Sequence, residues 1–512
     1  MTLTPEEFPD WLTHRALATP ARMALMADGR TWSFAELDAE ATRIARHLAG
    51  IGVLPGDRVA TLLHNGASAA VLPHAVLRLG ATLVPLNVRL GEAEIAWLMG
   101  DAAPRVVIVD ERTTPLLGQA RREHPHLAAA SIDAAGATML GDSDPLDRVH
   151  EAETVMRLRH DPAHVLAIVY TSGTTGQARG AMLTVANFWW SALGSALNLG
   201  THADDRWLVC LPLFHVGGLS ILLRAAIYGI AAIVHDGFDE VEVNRAIDDD
   251  GVTMVSVVAV MLQRMLVDRG ARPYPPSLRC VLLGGGPAPR SLLERCASSR
   301  MPVVQTYGLT ETTSQVATLA PEDALIRLGA AGRPLYPNEL RIVSDDGVVV
   351  GSNTDGEIVV RGPVVMAGYS GRPDATARAV VGGWLHTGDI GRIDADGYLY
   401  VLDRRDDLII TGGENVYPAE VEAVLLAHPW VAEAGVVGVP DSAWGQRIVA
   451  VVRLAPGANV ALAADTLRAH CRSRLGAFKV PREISVGAEP LPRTASGKLR
   501  RARLREQIAG AG

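Results

Sequence analysis

Short apolar runs alternating with amphipathic stretches fill the first 160 residues. Leu37, Ala41, Ile44, Ala45 and Leu48 recur at the spacing of one helix face, and Ser33-Phe-Ala-Glu36 just ahead of them has the form of a capping box. Apolar runs at 59–63, 81–86 and 106–109 read as strands, and the helical segments between them are expected to stop at Gly80 and Gly100. Strands alternating with helices predict an α/β layered domain. From 111 to 160 the periodicity weakens, which predicts a variable surface stretch. Further on, 165–169 reads as a buried strand, and 278–283 and 303–306 as two more. Residues 393–401 predict a hairpin turning at Asp396-Gly397. Thr411-Gly412-Gly413-Glu414-Asn415 reads as a flexible loop before a helix opened by Pro418, with Val421, Val424 and Leu425 on one face. Strands near Val436 and at 449–452, with a helix near 467–475, complete a compact α+β unit.

Composition narrows this picture. A chain of 512 residues exceeds the size at which one core stops growing, so at least two domains are expected. Forty-eight Lys plus Arg against 56 Asp plus Glu give a net charge of −8 with no basic block, which argues against nucleic acid or an anionic membrane surface as partner. Cys210, Cys280, Cys296 and Cys471 form no CxxC pattern or paired framework, as suits packing thiols in a reducing compartment. The N-terminus lacks a basic segment followed by an apolar one, and no apolar run reaches the 18 residues of a membrane span. A soluble cytoplasmic protein is expected.

The candidate chemistry starts where the 165–169 run opens into Tyr170-Thr-Ser-Gly-Thr-Thr-Gly-Gln-Ala-Arg-Gly180. Three glycines let backbone approach a ligand, and Thr171, Ser172, Thr174 and Thr175 supply hydroxyl donors, as a phosphate cradle needs. No Gly-Lys-Ser/Thr follows, so this is not a Walker loop, and the same composition suits a polar surface turn. His215, in Leu211-Pro-Leu-Phe-His-Val-Gly217-Gly-Leu-Ser220, reads by itself as a packed histidine. Arg224 is one cation inside an apolar run, and burial there demands an anion, either a structural carboxylate or a substrate's. Gly284-Gly285-Gly286 at a strand end would let a flat purine lie on bare backbone, or would simply make a sharp turn. Tyr307-Gly-Leu-Thr310-Glu311 sets a ring, a hydroxyl and a carboxylate just past a strand, a grouping able to stack a base, hold a phosphate and hold magnesium.

Taken in order, the 170–180 loop, Tyr307–Glu311, His386-Thr-Gly-Asp389, Asp403-Arg-Arg-Asp406 and Pro492-Arg-Thr-Ala-Ser-Gly-Lys498 resemble the motifs of the adenylate-forming superfamily, which includes acyl-CoA synthetases, firefly luciferase and peptide-synthetase adenylation domains. The resemblance spans essentially the whole chain. It implies a large multi-layered α/β N-terminal domain, residues 1–402, holding the ATP and acyl pocket. A small mobile α+β lid domain, residues 403–512, would hinge at Asp403. The implied cofactors are ATP, Mg²⁺ and coenzyme A as cosubstrate, and the implied partner is a small-molecule carboxylic acid. The sequence leaves the oligomeric state open, a homodimer included.

By the same resemblance, Thr171, Ser172, Gly173, Thr174, Thr175 and Gly176 would hold the β- and γ-phosphates, and Gly284, Gly285 and Gly286 with Tyr307 would sandwich adenine. Thr310 would contact the α-phosphate, Glu311 would bind Mg²⁺, Asp389 both ribose hydroxyls, and Arg404 the ribose. Gly412 and Gly413 would pass the pantetheine arm, and Lys498 would bridge the substrate carboxylate and the α-phosphate. One departure stands out: the family usually has Lys-Pro-Lys after the loop's second glycine, where this chain has Gln177-Ala-Arg179. Residues 195–200, 205–208, 211–215, 282–289 and 412–422 resemble more narrowly the branch that joins o-succinylbenzoate to CoA in menaquinone biosynthesis. That acid keeps a second carboxylate after activation, which would give Arg224 its anion, with His215 and Gly217 lining the same acyl site. The competing readings are a synthetase for a medium-chain or aryl acid, and a nucleotide-binding homologue without activity.

Overall fold

Two large sheets carry the first two thirds of the chain. The computed structural model describes residues 7–133, 136–139, 156–171, 178–286, 288, 290–324, 326–327, 329–404, 407, 409–411, 414–441, 444–475, 477–493 and 499–509. Within these, one sheet has nine strands. At its centre Met23–Ala27, Ala231–Val234, Arg206–Val209, Met254–Val257, Cys280–Leu283 and Val303–Tyr307 run parallel, buried almost throughout. Near-continuous apolar runs are what a parallel sheet covered on both faces requires. The second sheet has eight strands and includes Arg58–Leu62, Thr82–Pro85, Val106–Val109 and Val165–Thr171.

The expected capping box is present: the Ser33 hydroxyl accepts from the Glu36 N–H, and the Glu36 carboxylate accepts from the Ser33 N–H at 2.8 Å. The helix it opens, Phe34–Gly50, buries Leu37, Ala41, Ile44, Ala45 and Leu48. Gly100 does not stop its helix. Glu92–Ala102 runs through it and ends where Ala103 turns left-handed at φ 44°, because tertiary packing outweighs one glycine's modest helix penalty. In the weakly periodic stretch, Ala128–Asp133 adds a parallel strand beside Val106–Val109.

Next come Glu339–Val343, Gly356–Arg361, Trp384–Ile393 and Leu399–Arg404, in a smaller sheet whose last hairpin turns at Asp396-Gly397, Gly397 having φ 87°. Residues from 409 onward make another five-stranded sheet. Thr411 and Glu414 belong to paired strands, Ile409–Thr411 and Glu414–Val416, where a flexible loop was expected; the ladder to Gly445 extends the order. The Pro418–Leu426 helix buries Val421 and Leu425, with Val424 half-buried. These side chains join Ile409, Val436, Ile448, Leu467 and Cys471 in a core built only from residues beyond 408.

Candidate active site

The end of the nine-stranded sheet assembles most of the described candidates. Cys280–Leu283 and Val303–Tyr307 are neighbours in parallel register, Leu283 opposite Gln305, so Gly284–Gly286 and Tyr307 leave the sheet side by side. Gly285 has φ 80°, and a Cβ there would lie 2.9 Å from Val258, so glycine is required. A Cβ on Gly286 would meet nothing within 4 Å, which leaves open space beside that backbone. The buried Tyr307 hydroxyl donates to Asp389 Oδ2 at 2.8 Å. A ring able to cover a purine and a carboxylate able to take a ribose are thus tied directly, although 82 residues separate them.

Just beyond, Gly308 packs so closely on the turn that a Cβ would lie 1.4 Å from the Ser314 carbonyl oxygen. This close approach folds Thr310–Thr312 into one turn of 3₁₀ helix, after which Thr313 and Ser314 are left-handed at φ 52° and 88°. Glu311 is half-buried on that turn. Its Oε1 accepts the Tyr369 hydroxyl at 2.9 Å, and no described residue bonds Oε2. A hard carboxylate oxygen left open on this turn fits a magnesium ion. Burial, with Glu311 next to it, raises the Tyr369 phenol, so its hydroxyl stays a donor.

Thr171 and Arg179 flank the glycine-rich loop as opposite partners of an antiparallel pair, Val165–Thr171 with Arg179–Thr184. Ser172, Gly173, Thr174, Thr175 and Gly176 lie outside the described residues, as do Gly412, Gly413 and Lys498. Tyr170 fastens the strand entering the loop, its hydroxyl donating to Asp101 Oδ2 at 2.7 Å, and Arg372 bonds the other oxygen of Asp101. The backbone of Arg404 sits directly across the ladder from Asp389, and Asp403 across from Ile390. The two ribose candidates are therefore cross-strand neighbours.

On the acyl side, His215 caps the helix Val216–Tyr228, half-buried with its ring centroid 4.6 Å from that of Phe214. Gly217 follows in the first turn, within 3.5 Å of Leu211 for any added Cβ. Arg224, on the same helix, is 2% exposed. Its guanidinium donates to Ser191 Oγ at 2.9 Å and lies 5.8 Å from the Trp207 ring centroid, while Nε has no partner among the described residues. No carboxylate among the described residues pairs with it, and burial pushes its pKa down. Ser191 Oγ in turn donates to the Thr313 carbonyl at 2.7 Å, so the cation stands two hydrogen bonds from the turn bearing Thr310 and Glu311.

Ser191 and Tyr369 escaped the sequence reading. Ser191 lies on an unremarkable helix 33 residues from Arg224, and Tyr369 is 58 residues from Glu311, so no local spacing links either pair.

Open space beside Gly286 at the ends of parallel strands, the Tyr307–Asp389 pair and the turn bearing Thr310 and Glu311 make the arrangement expected of an adenylate-forming enzyme. Residues 12–370 match the family model "AMP-binding enzyme" and 420–498 match "AMP-binding enzyme C-terminal domain". The chain belongs to the AMP-binding enzyme family. The 2-succinylbenzoate–CoA ligase of Geobacillus kaustophilus is 49% identical over 500 residues, 98% of each chain. The o-succinylbenzoate CoA synthetase of Bacillus subtilis, solved with its acyl-adenylate intermediate, superposes with a TM-score of 0.88 at 41% identity and covers 98% of both chains. The same Bacillus enzyme with ATP and magnesium gives 0.87 at 41% identity over 98% of this chain and 100% of that one.

Proposed function

We infer that this chain is an ATP-dependent acid–thiol ligase that converts 2-succinylbenzoate and CoA to 2-succinylbenzoyl-CoA, AMP and pyrophosphate, a step of menaquinone biosynthesis. The observation that carries the substrate reading is Arg224, a buried guanidinium with a hydroxyl, but no carboxylate among the described residues, beside it. A charge in that position needs an anion, and an acid with a second carboxylate brings one. His215 and Gly217 line the same helix entrance.

In the first half-reaction the succinyl carboxylate attacks the α-phosphorus, forming the acyl-adenylate and expelling pyrophosphate. Tyr307 and Gly284–Gly286 hold the base, Asp389 and Arg404 the ribose, Thr310 the α-phosphate, and Thr171–Gly176 the departing phosphates. Glu311 would hold Mg²⁺, which would supply charge neutralisation to the phosphates. Lys498 bridges carboxylate and α-phosphate, a contribution of about 3 kcal/mol or roughly a hundredfold in rate. Residues 403–512 then turn about Asp403, which withdraws Lys498 and brings Gly412–Gly413 to the adenylate. The CoA thiol, losing its proton, attacks the acyl carbonyl, the thioester forms, and AMP leaves. One lid serving two steps gates access without altering the intrinsic chemistry. ATP and CoA are intracellular cosubstrates, and the four buried thiols suit the cytoplasm.

A panel of acids in a CoA-dependent AMP-release assay tests this. 2-Succinylbenzoate should be turned over far faster than benzoate or octanoate; comparable rates with the monocarboxylates would replace the diacid reading.

A further inference from the structure

Tyr369 stands between two groups of opposite charge. Its side chain is buried, its hydroxyl donates to Glu311 Oε1 at 2.9 Å, and the Arg179 guanidinium lies 5.6 Å from its ring centroid. Arg179 is the cation remaining at the loop's exit, where Gln177 replaces the usual lysine. The backbone around Tyr369 is stitched on both sides. Met366 N–H donates to the Glu311 carbonyl at 2.8 Å, while Tyr369 pairs with Ala181 and Ser370 N–H donates to the Gly180 carbonyl at 2.8 Å. Thr376 Oγ1 accepts the Tyr369 N–H at 2.9 Å, closing the turn behind it. A ring fixed in this way has little freedom, so whatever it touches inherits its position.

We propose that Tyr369 is a positioning residue for the metal and the leaving phosphates: its hydroxyl holds one oxygen of Glu311, leaving the other for the divalent cation, and its face holds the Arg179 guanidinium at the start of the strand Arg179–Thr184. This rests on Glu311 being the metal-binding carboxylate. One ring thereby fixes both the carboxylate and the cation kept at position 179. An unanchored carboxylate on a one-turn helix would sample several rotamers and lose order on each metal-binding event.

The test is Mn²⁺ binding to the full-length protein with a non-hydrolysable ATP analogue, followed by electron paramagnetic resonance, beside metal-free binding of the same analogue by calorimetry. Tyr369→Phe keeps the ring and removes the hydroxyl. It should weaken Mn²⁺ roughly ten-fold, the value of one hydrogen bond to a charged group, and leave metal-free nucleotide binding unchanged. Tyr369→Leu, which also removes the face under Arg179, should weaken both. Thr376→Val loosens the same turn but keeps the hydroxyl, and should weaken Mn²⁺ clearly less than Tyr369→Phe does. If Thr376→Val weakens Mn²⁺ as much as Tyr369→Phe does, the tyrosine is only structural and the proposal falls. Glu311→Gln separates the two layers. Weak Mn²⁺ binding there with normal binding in Tyr369→Phe overturns the role of Tyr369 alone, whereas normal binding in Glu311→Gln overturns the metal assignment beneath it.

Discussion

Arg224 concentrates the specificity argument in one side chain. A guanidinium taken out of water keeps its charge at a cost that falls as its donors are matched, and Ser191 matches one of them. Removing it by Arg224→Ala deletes a charge-assisted contact of about 1.5–3 kcal/mol, so the KM for 2-succinylbenzoate should rise roughly ten- to a hundredfold while the KM for ATP stays within about two-fold. Steady-state kinetics with each substrate varied in turn decides it; parallel rises would return Arg224 to packing. Tyr307 belongs to the proposed nucleotide side of the site. Tyr307→Phe keeps the stacking surface and loses the bond to Asp389, about 1 kcal/mol, so the KM for ATP should rise about five-fold with the acid KM unmoved.

Among the elements, the helix Ala67–Arg78 carries a cost of its own. His74 is wholly buried there, and burial first, then Arg78, lowers its pKa from 6.5 to about 4 against the pull of Asp10 and Asp38. The unfolded chain takes up this proton near 6.5 and the folded chain only near 4. Stability is therefore full above pH 6.5 and falls as pH drops toward 4, by about 3 kcal/mol in all. Denaturant midpoints followed across that window should show the decline in the native chain and a flatter profile in His74→Gln. Burial also pushes Asp10 up, but His160, Arg78 and the Thr13 N–H outweigh it and hold the carboxyl well below its usual range, so its loss belongs to still lower pH.

Elements were legible from sequence where burial and period agree. The Ser33 box, the strand at Val106–Val109 and the Asp396-Gly397 hairpin are local statements, and local chemistry decided them. Gly100 misleads because its helix is held by burial of Ile95, Leu98 and Met99, which no single-residue stop signal reveals. In the candidate site, Tyr307, Glu311 and Asp389 are singled out by sequence because each belongs to a short ordered motif. The bonds that orient them come from residues 58 and 82 positions away, and only the fold brings those together.

At the scale of the whole molecule, the residues beyond 408 bury Val436, Ile448 and Leu467 among themselves. Leu467→Ala should destabilise that unit by about 2–5 kcal/mol, lowering one calorimetric transition and leaving the other and its shift on ATP binding in place. A single transition lowered as a whole would show the two parts unfold together. The division of labour proposed for the lid predicts that Lys498→Ala abolishes ATP–pyrophosphate exchange yet largely spares thioester formation from supplied adenylate; equal loss of both would contradict it.

The hairpin made by Trp384–Ile393 and Leu399–Arg404 links these scales, since Asp389 and Arg404 face each other on its two strands. A ribose held by Asp389, as proposed, would brace the strand opposite it, which precedes the residues of the second core. Bound AMP should accordingly slow amide exchange in Leu399–Arg404 as much as in Trp384–Ile393. Tenancy of the sugar pocket and stiffness of the linker would then rise and fall as one quantity.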